Sequence, residues 1–295
     1  MKVTVIGGGA IGLLVTSYLL TFGHTVQLVT RTKEQTRLIK ENGIIKEKNG
    51  FIKSHQVDVV TFSKFQANKE DLIIITVKQT SVDSLIDYLR QIIPPETPLL
   101  FLQNGMGHLE KARKTLQNPI LAGIVTHGAI RQSLTRVCHT GEGEIKIGGE
   151  RLSGKPLFNL WSNDSTFSIT WSPNILVDIK QKLLVNVVVN PLTAIHKVRN
   201  GSLLLDSELK KKAYEVFQEA RFLLDFPDSE WQNVQRVIHK TAENQSSMLI
   251  DILHNRKTEI DALTGYLLEQ SEKKNIPIEK IRGIHQRVKE IEKGM

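Results

Sequence analysis

Lys2-Val3-Thr4-Val5-Ile6-Gly7-Gly8-Gly9-Ala10-Ile11-Gly12 opens the chain, and the fold is decided there. Lys2 to Ile6 is a short β-branched run, and from Ala10 to Phe22 apolar residues recur at helical spacing up to Gly23, a C-cap residue. Gly7 to Gly12 satisfies G-x-G-x-x-G in the place where dinucleotide binding needs it, directly after a strand and opening a helix. Gly7 allows the tight turn, Gly9 lets a pyrophosphate approach the backbone, and Gly12 lets helix pack on strand. Gly8, Ala10 and Ile11 complete the candidate cofactor-binding loop, where oriented N–H groups and the helix dipole favour an anion. A glycine-rich turn without a nucleotide is the competing explanation, and the strand-turn-helix context weighs against it. The apolar run Val3 to Phe22 imitates a signal peptide. Four glycines interrupt it, only Lys2 supplies a positive start, and no small-residue cleavage site follows.

Working outward, Thr25 to Thr30 reads as a second strand, Lys33 to Glu41 as a polar helix, and Asn42 to Val60 as short strands with turns at Asn42-Gly43 and Asn49-Gly50. Leu72-Ile73-Ile74-Ile75 is apolar without alternation, as a parallel strand buried on both faces must be. Leu99 to Leu102 and Ile120 to Val125 repeat that pattern, with helices expected near Val82 to Ile93 and Gly107 to Leu116. Alternating strand and helix means a parallel α/β sheet. After Trp171 the strand-like runs stop and helical periodicity takes over. Helices are expected around Ile175 to Val198, Glu208 to Leu224, Glu230 to Lys274 with breaks, and Glu279 to Lys293. The expected architecture is therefore an α/β Rossmann dinucleotide-binding domain over residues 1–172, followed by an all-α domain over 173–295.

Composition narrows the function classes. The chain has 295 residues, 40% hydrophobic and 24% charged, which suits a globular fold large enough for two cores. One cysteine, Cys138, excludes an internal disulfide and fits a reducing compartment, so a cytoplasmic protein is expected. No metal site is expected. A formal charge of +8 favours acidic ligands, but the basic residues are spread along the chain, so phosphorylated cofactors and carboxylate substrates explain it better than nucleic acid. No stretch has the length and purity of a membrane span.

Several polar residues stand where chemistry is expected. The second strand ends Val29-Thr30-Arg31-Thr32-Lys33, with no acid for a ribose 2′-hydroxyl and with Arg31 placed to grip a 2′-phosphate. This predicts NADP. Lys78 and Asn104 follow strands at their carboxyl ends, where open α/β sheets place ligands. In Lys182-Leu-Leu-Val-Asn186-Val-Val-Val-Asn190-Pro191-Leu-Thr193, the polar residues Lys182, Asn186, Asn190 and Thr193 share one helical face of an otherwise apolar segment. Buried polar groups cost roughly 2–7 kcal/mol unless paired, so this face must meet partners or ligand. Pro191 is expected to break or kink the helix near residue 187. Ser246 or its neighbours suit an N-cap, and spacing alone favours an Arg256–Glu259 pair on a wet helix face.

These blocks together resemble the ketopantoate reductase (2-dehydropantoate 2-reductase) family over nearly the full length. They are Gly7 to Gly12, Val77-Lys78, Gln103-Asn104-Gly105-Met106-Gly107, the Lys182 to Ala194 segment, Ser246-Ser247-Met248, and Lys257-Thr258-Glu259-Ile260-Asp261. The resemblance implies NADPH-dependent reduction of ketopantoate to pantoate in pantothenate and coenzyme A biosynthesis. It makes Lys182 the general acid and Glu259 a substrate-binding, lysine-orienting carboxylate. It makes Asn104, Asn186, Asn190, Asn200 and Ser247 substrate ligands, and places Lys78 and Asn104 at the cofactor. Lys180 and Ser81 depart from the family pattern, which puts weight on a paralogous NADPH-dependent reductase of another 2-oxo acid as the alternative. An NADP-binding redox sensor is a third reading. The partners expected are a small-molecule 2-oxo acid, with no nucleic acid and no membrane; a homodimer is left open.

Overall fold

The computed structural model describes residues 1–67, 69–149 and 165–295. The chain forms two compact units, one of Met1–Gln103 with His108–Asp178 and one of Asn104–Gly107 with Ile179–Met295.

The first unit carries β1 (Lys2–Ile6), α1 (Ala10–Thr21), β2 (Thr25–Thr30), α2 (Lys33–Asn42), β3 (Ile44–Lys48), β4 (Phe51–His55), β5 (Asp58–Thr61), β6 (Leu72–Ile75), α3 (Val82–Ile92) and β7 (Leu99–Phe101). It continues with α4 (Gly107–Thr115, its first residue belonging to the second unit), β8 (Ile120–Val125), β9 (Gly128–Arg131), β10 (Arg136–Gly141), β11 (Glu144–Gly149) and β12 (Ser168–Trp171). The main sheet has the order β12-β11-β8-β7-β6-β1-β2-β5. Neighbours from β5 to β8 pair in parallel, as the unalternating Leu72–Ile75 run required. Among the described residues, only β11 against β8 is antiparallel in this sheet.

A second sheet, β4-β3-β10-β9, is a feature the sequence reading reached only in part. Its β3–β4 hairpin turns at Asn49 and Gly50, both with positive φ (51° and 80°), as the Asn-Gly signal implied. Helix α1 packs against β1 and β2 of one sheet and against β3, β9 and β10 of the other. A helix enclosed on both sides must be apolar all round. Gly12 through Leu19 are accordingly buried. At its centre Tyr18 stacks on Phe167, with ring centroids 4.0 Å apart, and its hydroxyl shares a hydrogen bond with His139 Nδ1 at 2.8 Å. His139 Nε2 lies 3.1 Å from His127 Nδ1, which also accepts from Gly143 N.

In the second unit every described element is helical: α5 (Ile175–His196, its first turn belonging to the first unit), α6 (Ser202–Leu205), α7 (Ser207–Leu224), α8 (Trp231–Lys240), α9 (Ser247–Leu253), a π-helical turn at Asp261–Gly265, α10 (Tyr266–Lys274) and α11 (Glu279–Lys293). The expected boundary at 172/173 moves to Asp178/Ile179. The physical reason is that Ser172 N donates to Ile147 O at 2.8 Å, the Ser172 hydroxyl bonds the Asp178 carboxylate, and Ile175 packs over Gly148. The first turn of α5 is thus tied to the edge of the main sheet.

One further expectation needs correction. Pro191 lies inside an unbroken α5 and does not end it. The missing N–H and ring clash cost about 3 kcal/mol, an amount that the burial of Val187, Val188 and Leu192 offsets. The segment Glu230 to Lys274 divides, as its expected breaks imply, into α8, α9, the π-helical turn and α10: near-bridge Thr241 and His254 close α8 and α9, the π-helical turn runs on through Tyr266 in the right-handed helical region, and Asn275 in the αL region closes α10. Among the described residues, no helix is long and apolar enough to cross a membrane, and no group of three or more His, Cys, Asp or Glu is arranged to hold a metal.

Candidate active site

In the first unit, the turn after β1 is built for a close-packed loop. Gly7 has φ +123° and donates its N–H to Val29 O at 2.9 Å. Thr76 Oγ1 donates to Ile6 O and Gly7 O at 3.1 Å each, pinning the loop to the end of β6. A Cβ on Gly12 would stand 1.8 Å from Gly7 O, so only glycine lets α1 approach the strand here. Gly9 faces open space, with nothing within 4 Å of a built Cβ. It is the N-cap of α1, has no side-chain capping bond, and no acidic residue occupies the first turn. The N-terminal N–H groups of α1 therefore stay open to an anion. These are features a dinucleotide pyrophosphate fits. Arg31 is exposed at the end of β2, beside Thr32, whose Oγ1 caps α2 by accepting from Gln35 N at 3.2 Å. Lys78 is exposed and precedes a 3-10 turn at Gln79–Ser81.

In the second unit, Lys182, Glu259 and Asn104 come together. Asn104 Nδ2 donates to Glu259 Oε2 at 2.9 Å. Burial lowers the Lys182 pKa to about 8, while the Glu259 carboxylate acts in the opposite direction. Glu259 is held from both sides. Thr258 N and Oγ1 both donate to Glu292 Oε1 at 2.7 Å, and Ile260 is fully buried. Glu292 is itself paired with Lys289 at 3.3 Å. Gly105 makes the approach of Asn104 possible: it has φ +83°, and a Cβ there would lie 2.5 Å from Ala262 O. The glycine beside Asn104 thus lets the chain rest against the backbone of Ala262.

The expected pair of Glu259 with Arg256 does not form. Arg256 instead bonds Asp251 at 3.0 Å, because α9 ends at Leu253 and the chain leaves helical geometry before Glu259. Asn186 and Asn190 follow Lys182 by one and two turns of α5, both partly exposed, so their amides remain available on that face. Thr193 is fully buried and donates to Val189 O at 2.8 Å and to Ser246 Oγ at 2.7 Å, which withdraws it from the stripe. Ser246 also caps α9 by accepting from Leu249 N at 3.1 Å. Ser247, the next residue, is exposed at the start of α9.

Asn200 is buried, donates from Nδ2 to Thr241 Oγ1 at 3.0 Å, and leaves Oδ1 buried without a partner. Lys180 points away from the cluster, with Nζ 3.5 Å from Leu224 O at the carboxyl end of α7, a position favoured by the helix dipole. Thr258 lies in one of the motif blocks, whereas Glu292 lies in none. No local motif marks Glu292, which lies 34 residues from its partner.

A model of the ketopantoate reductase PanE/ApbA family matches residues 3–150, and the model of its C-terminal part matches residues 174–292. The chain belongs to the ketopantoate reductase family. It is 37% identical to the 2-dehydropantoate 2-reductase of Bacillus subtilis (strain 168), covering 100% of this chain and 98% of that one. A crystal structure of the probable 2-dehydropantoate 2-reductase of Bacillus subtilis superposes with a TM-score of 0.89 at 35% identity, over 99% of this chain and 100% of that chain. The fold is shared more widely. A D-mandelate dehydrogenase solved with NADH and anilino(oxo)acetate gives a TM-score of 0.88 at 24% identity, over 100% of this chain and 99% of that chain. As a reductase of this family with a dinucleotide-binding fold, the chain is an oxidoreductase that uses a nicotinamide cofactor.

Proposed function

We propose that this chain reduces the 2-oxo group of ketopantoate to the alcohol of pantoate, with NADPH as the electron donor. The observation that carries the reading is the grouping of Lys182, Glu259 and Asn104 in a chain whose relatives are 2-dehydropantoate 2-reductases. The cofactor would be held by Gly7 to Gly12, with Arg31 on the 2′-phosphate and Lys78 and Asn104 toward the nicotinamide. When bound, the reduced nicotinamide supplies a hydride equivalent to C2 of the substrate. As the carbonyl π pair moves onto oxygen, Lys182 stabilises the growing negative charge and passes a proton from Nζ to that oxygen. The neutral amine left behind regains its proton from solvent.

A pKa of about 8 suits this role. Lys182 is mostly ammonium at neutral pH, and its proton leaves more readily than that of an ordinary lysine. Glu259 keeps the ammonium populated, and Asn104 holds the carboxylate through its Oε2. Asn186, Asn190, Asn200 and Ser247 are the proposed substrate ligands. A homodimer, the state named for a Staphylococcus aureus ketopantoate reductase of this fold, is the proposed assembly. A panel of 2-oxo acids assayed by loss of reduced-nicotinamide absorbance tests the reading, each acid with NADPH and with NADH. Turnover confined to ketopantoate with NADPH is expected. Turnover on a different 2-oxo acid alone would move the chain to the paralogous reductases, and no turnover with any acid would remove the enzymatic reading.

A further inference from the structure

The second sheet brings a charged side chain to the glycine loop. Arg131 is the last residue of β9, and its Nη1 donates to Gly8 O at 3.2 Å. The same carbonyl accepts from Gln35 Nε2 at 2.8 Å, and Gln35 Nε2 also donates to Leu134 O at 2.9 Å, in the turn that joins β9 to β10. Gln35 is buried in the first turns of α2, and a Cβ on Gly8 would come within 2.6 Å of its amide. The β9–β10 turn, the start of α2 and the glycine loop are therefore stitched together at one backbone carbonyl.

The chemistry of this arrangement is unequal. A neutral carbonyl holds one N–H of a guanidinium that has five, and the charge itself is uncompensated. Among the described residues, neither Arg131 nor Arg31 has a carboxylate partner. A charged group pinned beside a phosphate-binding loop without a counter-ion is poised for an anion. Its side of the loop identifies which anion. The contact falls on the α2 side, which continues from the end of β2 where the ribose 2′ substituent is read, whereas the pyrophosphate belongs at the N-terminus of α1.

We propose that Arg131 is a second ligand of the cofactor's 2′-phosphate, acting with Arg31. The inference rests on the NADPH reading above. Its test is calorimetric titration of the full-length wild type, Arg131→Ala and Arg131→Lys with adenosine 2′,5′-bisphosphate and with adenosine 5′-monophosphate. Arg131→Ala should weaken the bisphosphate by about 10-fold or more, as expected for lost charge-assisted hydrogen bonds, and the monophosphate by less than about 2-fold. Arg131→Lys should recover part of the loss. Arg131 is exposed and gives the loop a single hydrogen bond, so the thermal midpoint of the ligand-free variants should fall by no more than about 4 °C. Equal loss for both nucleotides, or no loss for either, would overturn the proposal. A wild type that fails to prefer the bisphosphate would instead remove the NADPH reading, and so the two failures are separable.

Discussion

Lys182 gives the sharpest quantitative expectation. Moving its pKa from 10.5 to about 8 places a penalty of about 3 kcal/mol on the ammonium, which burial imposes and Glu259 partly offsets. If Lys182 must be protonated to donate, the competent fraction is about nine-tenths at pH 7 and about one-tenth at pH 9. With NADPH saturating, kcat/KM for ketopantoate should therefore fall about tenfold between those two values, where a lysine of ordinary pKa would give a flat profile. Glu259→Gln refines the test. Glutamine keeps an oxygen to accept from Asn104 Nδ2, but removes the charge that raises the lysine pKa. The alkaline limb of the variant should move to lower pH. A rate flat to pH 10 in the wild type, or a limb that stays put or moves upward in Glu259→Gln, would refute the acid role and its electrostatic origin.

Other expectations follow from particular contacts. Lys182→Ala should lose orders of magnitude in kcat while binding NADPH as the wild type does, measured by fluorescence titration. Near-normal turnover would dismiss Lys182 as the acid. Glu292→Gln weakens two hydrogen bonds that a buried carboxylate accepts from Thr258, and should cost about 2 kcal/mol in urea unfolding together with activity through Glu259. Retained kcat would separate Thr258 from the placement of Glu259. His108 is almost fully buried, and burial lowers its pKa to about 4. The unfolded chain then binds the proton more tightly, so stability present above pH 6.5 drains away as pH falls toward 4. About 2 kcal/mol should go between pH 7 and 5 from this residue alone. His108→Leu should remove that part of the slope, and an unchanged slope would assign it elsewhere. Gly105→Ala forces a Cβ to 2.5 Å from Ala262 O at a positive φ, and should lower kcat at least tenfold while NADPH affinity holds.

The sequence makes the first unit legible because parallel strands and their glycine turn are local signals. Leu72 to Ile75 and Gly7 to Gly12 state their environment within a few residues. Helix α1 is the instructive case. Its all-round apolar character suggests a leader segment on its own, and makes sense only when a second sheet covers its far face. That sheet is built from β3, β4, β9 and β10, which lie some ninety residues apart in sequence, and its β10–β3 pairing is a parallel contact that no short-range pattern announces. The lysine stripe on α5 is likewise local and readable at 3.6-residue spacing. Thr193 shows the limit, since its partner Ser246 is 53 residues away and turns a ligand candidate into a buried structural bond. Glu259 was misplaced for the same reason: spacing offers Arg256, whereas the fold offers Asn104 from 155 residues away.

Asn104 to Gly107 belong with the helical unit although the chain around them belongs to the sheet unit. The helical unit is thus not a contiguous gene segment. A fragment expressed from Ile179 onward would hold Lys182 and Glu259 yet lack the amide that bonds the carboxylate, and it would leave bare the patch of backbone at Ala262 against which Gly105 rests. Swapping helical halves between relatives to exchange substrate preference therefore means carrying a four-residue insert across with the half, and chimaeras joined at a single crossover inherit a mismatched proton donor site.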